Sequence, residues 1–268
     1  MKLTNLCGNT IRNYYEKEEK MKRVLFAGES WSAMTMEIKG FNNFFASRYE
    51  TGLGYIDKAI EPADYAFEFM PSHVAADKFP YTMEELKKYD VVVLSDIGAD
   101  TLLLPVETWT KSQRMPNRCN LLRDYVLQGG ALLMYGGYMT FSGIGGQGKW
   151  ANNPVEEVLP VELVPYDDRR EHCEGVYPVV TAPGHEVLEG IDEEFPFVLG
   201  YNYSKAKKDA EVVATICGDP FIAVGRYGEG KSAVVSTDCS PHWAPPEFCE
   251  WKHYNTLVKN LLDFLTEK

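Results

Sequence analysis

Four short apolar runs, separated by polar loops and amphipathic segments, most constrain how this chain of 268 residues can fold. Runs of this length and composition are typical of strands that are buried on both faces of a sheet. Their alternation with helical patterns predicts a parallel sheet covered by helices on both sides. The predicted core strands are Met21–Ala27, Tyr65–Met70, Asp90–Ser95 and Ala131–Tyr135.

Local sequence patterns predict the secondary structure of the segments outside these strands. Residues 29–41 are predicted as a loop, and residues 49–60 as a helix despite two glycines. Residues 117–130 form an amphipathic pattern that ends in a glycine pair, as helices often do. The last apolar pattern predicts a helix over residues 254–267.

The second half of the chain has fewer helical patterns and more short apolar runs. Residues 220–235 are predicted to form a hairpin that turns at Tyr227–Gly230. We therefore expect one domain over residues 21–268 with a β-rich insertion before its last strand, and residues 1–20 as an appendage. The predicted strands of this half are 161–169, 176–180, 211–217, 221–228 and 230–238.

Composition excludes several functional classes. The net charge of −12 argues against a nucleic-acid partner, which requires a basic face. No apolar run approaches the roughly 18–20 residues of a membrane span, and the N-terminal segment lacks the apolar core of a signal peptide. Without an export signal, we expect a cytoplasmic protein. None of the six cysteines forms a CxxC pair, and in a reducing cytoplasm we expect them to be free thiols.

The stretch ALLMYGGYMTFSG, residues 131–143, has the form of a strand that runs into a tight turn. Many α/β enzymes hold a nucleophilic Cys or Ser at such a turn, because the bend lifts the side chain above the sheet. Here the corresponding residues are Gly136, Gly137 and Tyr138. The turn therefore predicts a site with different chemistry, or one that has lost its chemistry.

A second polar loop follows the last predicted strand, in the stretch STDCSPHWAPPEF, residues 236–248. His242 lies four residues beyond Asp238, and the prolines restrict the loop that carries it. In sheets with a nucleophile turn, the catalytic His often follows the last strand. His242 is therefore a candidate general base or acid, with packing at the sheet edge as the alternative.

These stretches together resemble the class I glutamine amidotransferase-like superfamily in its flavodoxin-like form. More closely, the chain resembles a bacterial family described as "putative glutamine amidotransferase", over about residues 21–265. The stretches that carry the resemblance are VLFAGESW, IKGF, KYDVVVLSDIGADTLLL, PNR, GGALLMYGGYMTFSGIGG, PVEEVLPVELVPYDDR, FVLGYN and DCSPHWAPPEF.

The resemblance implies a doubly wound parallel sheet and a site at the turn after residue 135. In amidotransferases of this class a Cys at the turn attacks the glutamine amide, and a late His assists it. By position the His corresponds to His242, but the turn residue is Tyr138. Because a phenol with a pKa near 10 is a poor nucleophile, we do not expect ordinary glutaminase activity.

The parallel sheet also predicts which side chains converge. Ligands bind beyond the carboxyl ends of such strands, so the loops after the strands should share one cleft. The expected catalytic residues are His242, Tyr138, Asp96 and Glu29. The expected substrate-binding residues are Ser30, Trp31, Gly98, Gly137, Asn202 and Trp243.

Two functions follow from this pattern. The first is an enzyme, hydrolase-like, that acts on a small polar molecule such as a sugar. The second is a non-catalytic binding or assembly module that keeps the fold. We expect a small-molecule ligand, no metal or other cofactor, no nucleic-acid or membrane partner, and association into a homo-oligomer.

Overall fold

The described part of the chain comprises residues 21–60 and 65–267 of a computed structural model, and it contains fourteen strands. The predicted appendage, residues 1–20, lies outside it. In chain order the strands are β1 Lys22–Gly28, β2 Ser30–Lys39, β3 Asn42–Thr51, β4 Tyr65–Met70, β5 Val91–Ser95, β6 Ala131–Tyr135, β7 Val161–Leu163, β8 Arg169–Val176, β9 Val179–Val180, β10 Val198–Asn202, β11 Ser204–Ala206, β12 Glu211–Ile216, β13 Asp219–Tyr227 and β14 Gly230–Val235.

Eight α-helices lie among the described residues, and none of them combines the length and hydropathy needed to cross a bilayer. Three short 3₁₀ helices cover Ile144–Gly146, Pro154–Val158 and Glu186–Leu188. In chain order the α-helices are α1 Gly54–Ile60, α2 Ser72–Lys78, α3 Met83–Leu86, α4 Ala99–Leu103, α5 Val106–Lys111, α6 Arg118–Leu127, α7 Pro246–Cys249 and α8 Tyr254–Thr266.

Eight of the strands form one mixed sheet in the order β4-β1-β5-β6-β14-β13-β12-β9. The four predicted core strands lie side by side in it and are parallel, and β14 extends the parallel part. The antiparallel pair β13–β14 confirms the hairpin predicted at Tyr227–Gly230. The chain thus has an α/β fold with a mostly parallel sheet.

Helices cover both faces of this sheet because its central strands are apolar on both sides. Along β1, Val24 and Phe26 belong to one buried cluster, whereas Leu25 and Ala27 belong to the other. The first cluster includes the buried residues of α1 and α8, and the second those of α2, α4 and α6. Packing on both faces leaves the strand ends as the polar surface of the sheet.

The predicted loop over residues 29–41 is wrong. The strands β2 and β3 form a long antiparallel hairpin that pairs from Ser30 with Thr51 to Lys39 with Asn42. The predicted helix over 49–60 is correspondingly shorter, because β3 continues to Thr51 and the helix begins at Gly54. Met34, Met36 and Ile38 alternate with polar or small residues, and this period of two was the signal for a strand.

Other boundaries in the second half also differ. The strand predicted over 161–169 ends at Leu163, and a turn separates it from β8, which starts at Arg169. The region predicted as a strand over 176–180 contains the end of β8 and the short β9. The final helix is confirmed and covers Tyr254–Thr266.

Candidate active site

The carboxyl ends of β1 and β5 place two acidic side chains next to each other. Gly28 pairs with Ser95 at the end of these strands, and Glu29 and Asp96 follow directly. Both acidic residues have left-handed backbone conformations, with φ of 46° and 42°. Such conformations cost a non-glycine residue roughly 1–2 kcal/mol and cluster at functional sites.

One cleft at this edge contains all four residues that were predicted to be catalytic. Its volume is about 380 Å³, within the usual range for small-molecule sites. The parallel strands explain the convergence, since Glu29, Asp96 and His242 each follow a strand end and Tyr138 follows β6. The cleft is lined by Glu29, Trp31, Asp96, Tyr138, Asp238, Ser240, Pro241 and His242.

His242 is held by Asp238, which lies four residues earlier on the same loop. Its Nδ1 donates to Asp238 Oδ2 over 2.8 Å, and the backbone N–H of Trp243 donates to the same oxygen over 2.9 Å. The hydrogen bond to Asp238 raises the pKa of His242. Burial raises the pKa of Asp238, although its bond to His242 opposes that effect. The pairing leaves Nε2 of His242 as the ring atom available for proton transfer.

Glu29 is buried beside this pair and is held by two hydroxyl groups. Ser95 Oγ donates to its Oε2 over 2.6 Å, and Ser240 Oγ donates to its Oε1 over 2.7 Å. Burial, followed by repulsion from Asp238 and Asp96, raises the pKa of Glu29 to about 7. Glu29 is therefore poised to exchange a proton near neutral pH.

Asp96 accepts a hydrogen bond from the backbone N–H that an amidotransferase would use to bind its oxyanion. In enzymes with a nucleophile turn, the N–H after the nucleophile forms part of the oxyanion hole. Here that N–H belongs to Met139, and it donates to Asp96 Oδ1 over 2.8 Å. Burial and the nearby Asp238 raise the pKa of Asp96 to about 6. A carboxylate in this position disfavours a second negative charge beside the Met139 N–H.

Tyr138 lies at the turn, but no helix follows it. Its hydroxyl donates to Glu171 Oε1 over 2.9 Å, and burial is the largest of the effects that raise its pKa. Its ring meets the ring of His242 edge-on, with the centroids 4.4 Å apart, and the guanidinium of Arg169 lies 4.7 Å from the ring centroid. Tyr138 is therefore positioned to line the cleft and to form hydrogen bonds more than to act as a nucleophile.

Glu171 on β8 is a residue that the sequence pattern missed. It binds Tyr138 through one carboxylate oxygen and the indole N–H of Trp243 through the other, the latter over 2.9 Å. The stretch RREHCEGV around it contains five charged or titratable polar residues in its first six positions, so nothing in the sequence singles out this position. Asp238 and Ser240 also line the cleft, and the spacing of Asp238 to His242 is the signal that points to the former.

Gly137 allows the carboxylates to approach the turn. Its φ of 142° favours glycine, and a Cβ there would lie 2.9 Å from Asp238 Oδ1 and 3.0 Å from Asp96 Oδ1. Its N–H donates to Asn202 Oδ1 over 2.8 Å, and Asn202 Nδ2 donates to Asp168 Oδ1 over 2.8 Å. Asn202 is fully buried and supports the turn from below.

The other predicted substrate-binding residues differ in their access to the cleft. Trp31 lines it, whereas Ser30 is buried and accepts the backbone N–H of Ser72 over 2.7 Å. Gly98 lies against Met139, outside the lining. Trp243 is 1% exposed and packs behind Tyr138, with ring centroids 5.5 Å apart.

Cys239, three residues before His242 in the chain, lies in the buried part of this region. Cys239 is fully buried with its Sγ 3.3 Å from Ser95 Oγ, and burial raises its pKa well above the usual value. A thiol held in this protonated state is a poor nucleophile. Within residues 21–60 and 65–267, no group of three or more His, Cys, Asp or Glu side chains is arranged to hold a metal ion.

A comparison with models of protein families identifies the family of this chain. The family described as "Putative glutamine amidotransferase" matches residues 23–267, nearly all of the described structure. The chain belongs to this family. The resemblance to this family drawn from the sequence is therefore confirmed. No curated protein matches the chain.

Solved structures agree with this membership. Two Salmonella typhimurium structures, titled cytoplasmic proteins STM3548 and STM1381, are each 40% identical to the chain with a TM-score of 0.88. Each match covers 91% of this chain, with 99% and 100% of the respective Salmonella chains. A ThuA-like protein from Bacteroides uniformis is 11% identical with a TM-score of 0.55, covers 93% of this chain and 94% of its own, and shares the fold alone.

Proposed function

We propose that the chain is a hydrolase-type enzyme that uses His242 for proton transfer on a small polar molecule, without a covalent cysteine intermediate. The observation that carries the proposal is the Asp238–His242 pair, 2.8 Å apart, in a cleft with Glu29 and Asp96. A His whose orientation is fixed by a carboxylate is a general base or acid in many enzymes. Glu29, with a pKa near 7, would supply or accept the second proton.

The lining of the cleft favours an uncharged substrate with several hydroxyl groups. Among the residues that the structure describes, the lining of the cleft includes three carboxylic acids and no Lys or Arg. An anionic substrate would meet like charge there, whereas hydroxyl groups can donate to the carboxylates. Trp31 and Tyr138 offer aromatic surfaces on which a sugar ring could stack.

A ligand screen followed by product analysis tests this function. Thermal shift against uncharged sugars and glycosides should identify a stabilising compound, and NMR of that mixture should show its conversion. His242→Gln should lower the rate by about 10²–10⁴-fold. His253→Gln is the matched control, because His253 binds Asp192 outside the cleft and should leave the rate unchanged. A compound that binds at the cleft and is never converted would favour the binding module instead.

We also propose a sheet topology, a domain organisation and a cellular location for the protein. We infer that the sheet has the flavodoxin-like wiring of class I amidotransferases, which the parallel order β4-β1-β5-β6 supports. We infer that residues 21–268 form one domain in which the strands between β6 and β14 are a β-rich insertion. The titles of the two Salmonella proteins support a cytoplasmic location, and the net charge of −12 disfavours a nucleic-acid partner.

A further inference from the structure

The hairpin formed by β2 and β3, residues 30–51, extends from the body of the protein as an arm. Its ten-residue strands correspond to a length of roughly 30 Å. Among residues 21–60 and 65–267, its contacts with the body lie at its base, where Ser72 N–H donates to Ser30 and the ring of Tyr49 lies 5.2 Å from that of His73. Every residue from 34 to 49 is exposed. An isolated two-stranded hairpin is at best marginally stable in water, so the arm requires a covering surface.

The two faces of the arm differ in chemistry. Paired residues of an antiparallel hairpin share a face, and the pairs Ser32–Tyr49, Met34–Ser47, Met36–Phe45 and Ile38–Asn43 therefore lie together. We call this the apolar face of the arm, and it contains no charged residue. The opposite face carries all four charges of the arm, which are Glu37, Lys39, Arg48 and Glu50.

The exposed apolar area is close to what a stable dimer requires. The five large hydrophobic residues of the apolar face are exposed to between 50% and 75%, and Phe41 at the tip is fully exposed. Taking about 150–250 Å² for a large side chain, the exposed apolar surface is on the order of 700 Å². A standard protein interface buries about 800 Å² on each partner, whereas the largest patch of a typical monomer is about 300–600 Å².

The distribution of charge along the chain favours a second copy of this chain as the partner that covers the apolar face of the arm. The arm contains two acidic and two basic residues, so the net charge of −12 lies entirely on the rest of the chain. Two copies that met through their bodies would bring like charges together. Two copies that meet through neutral arms roughly 30 Å long hold those bodies apart by more than the screening length of about 8 Å.

We propose that two copies associate across a two-fold axis by packing the apolar faces of their arms together. Closed two-fold dimers use the same patch on both subunits, and this patch has no charge to repel its own copy. A membrane surface is a weaker candidate, because anionic lipids repel an acidic chain. The proposal is independent of the function proposed for the cleft.

Analytical ultracentrifugation of the full chain tests the proposal. The unaltered protein should be a dimer at micromolar concentration, and Phe45→Lys should weaken its association by about ten-fold or more. Phe44→Lys is the matched control, because Phe44 is the adjacent residue, is also exposed and lies on the charged face. It should leave the dissociation constant within about two-fold, a small free-energy difference.

Further measurements keep the proposal falsifiable. Circular dichroism must show that both variants are folded. If Phe45→Lys is unfolded, Met34→Lys, which lies on the same apolar face, takes its place. A chain that is monomeric at every concentration overturns the proposal, as does equal weakening by the Phe44 and Phe45 variants. Binding of the monomer to phosphatidylcholine vesicles would assign the apolar face to lipid and would also overturn it.

Discussion

Asp238 fixes the ring of His242, with Asp238 Oδ2 and His242 Nδ1 2.8 Å apart in a loop after the last strand of the sheet. Asp238 is also bound by the backbone N–H of Trp243, so the carboxylate cannot turn away from the ring without losing a second hydrogen bond. This relationship gives the cleft a positioned proton carrier, and it determines how His242 should titrate.

We expect Asp238→Asn to lower the pKa of His242, because the amide removes the charge that favours the imidazolium form. NMR titration of the imidazole signals measures this directly. The matched control is Asp192→Asn, which alters an exposed His–Asp contact at His253 and should leave the titration of His242 unchanged. If His242 titrates identically with and without the Asp238 carboxylate, the pairing does not control its protonation.

Glu29→Gln should stabilise the fold at alkaline pH. The pKa of Glu29 is raised to about 7 in the folded protein from an ordinary value of 4.5, so the unfolded chain releases this proton at lower pH. Stability is therefore lost as pH rises from about 4.5 through 7. The neutral amide of Glu29→Gln removes this loss. The substitution should raise the free energy of unfolding by up to roughly 3 kcal/mol at pH 8 and by little at pH 4.

Urea unfolding of both proteins at the two pH values measures the effect of Glu29→Gln. Glu68→Gln is the control, because Glu68 is half-exposed and binds Arg23 at the surface. An equal difference in unfolding free energy at both pH values would contradict a raised pKa for Glu29.

Gly137→Ala should destabilise the protein by about 2–4 kcal/mol, since it combines an unfavourable φ with contacts to two carboxylates. Gly184→Ala is a matched control, because Gly184 also has a positive φ, of 89°, but no atom lies within 4 Å of a Cβ added there. Thermal unfolding compares the two variants. A loss of stability that is no larger for Gly137→Ala than for Gly184→Ala would show that the carboxylates can move apart freely.

Installing the missing nucleophile should not restore glutaminase activity. In Tyr138→Cys the thiol would occupy the turn, but the N–H of Met139 would still be bound to Asp96, and the oxyanion would lack that donor. We expect no ammonia release from glutamine by the unaltered protein or by Tyr138→Cys in a coupled enzymatic assay. Ammonia release by the unaltered protein that Cys239→Ala abolishes would instead assign the chemistry to that thiol.

The sequence by itself determined the parallel core and most of the residues at its polar edge. Apolar runs such as Ala131–Tyr135 can be recognised locally, and parallel strands necessarily end at one edge. Glu29, Asp96, Tyr138 and His242 were therefore predicted together, and the structure brings them into one cleft. The spacing of Asp238 and His242 was visible as well, since both residues lie on one loop.

Only the tertiary structure decided what each of these groups contacts. Glu171 is 33 residues from Tyr138 and 72 from Trp243 in the chain, and its role depends on β8 pairing with β10 beside the turn. The bond between Met139 and Asp96, which fills the oxyanion position, likewise joins residues 43 apart. Residues 29–41 were wrongly predicted as a loop, and the exposure of the arm that they form with residues 42–51 depends on what the body leaves uncovered. Local periodicity encodes secondary structure, whereas the hydrogen bonds of a site and the exposure of a face depend on contacts between distant segments, and packing sets those contacts.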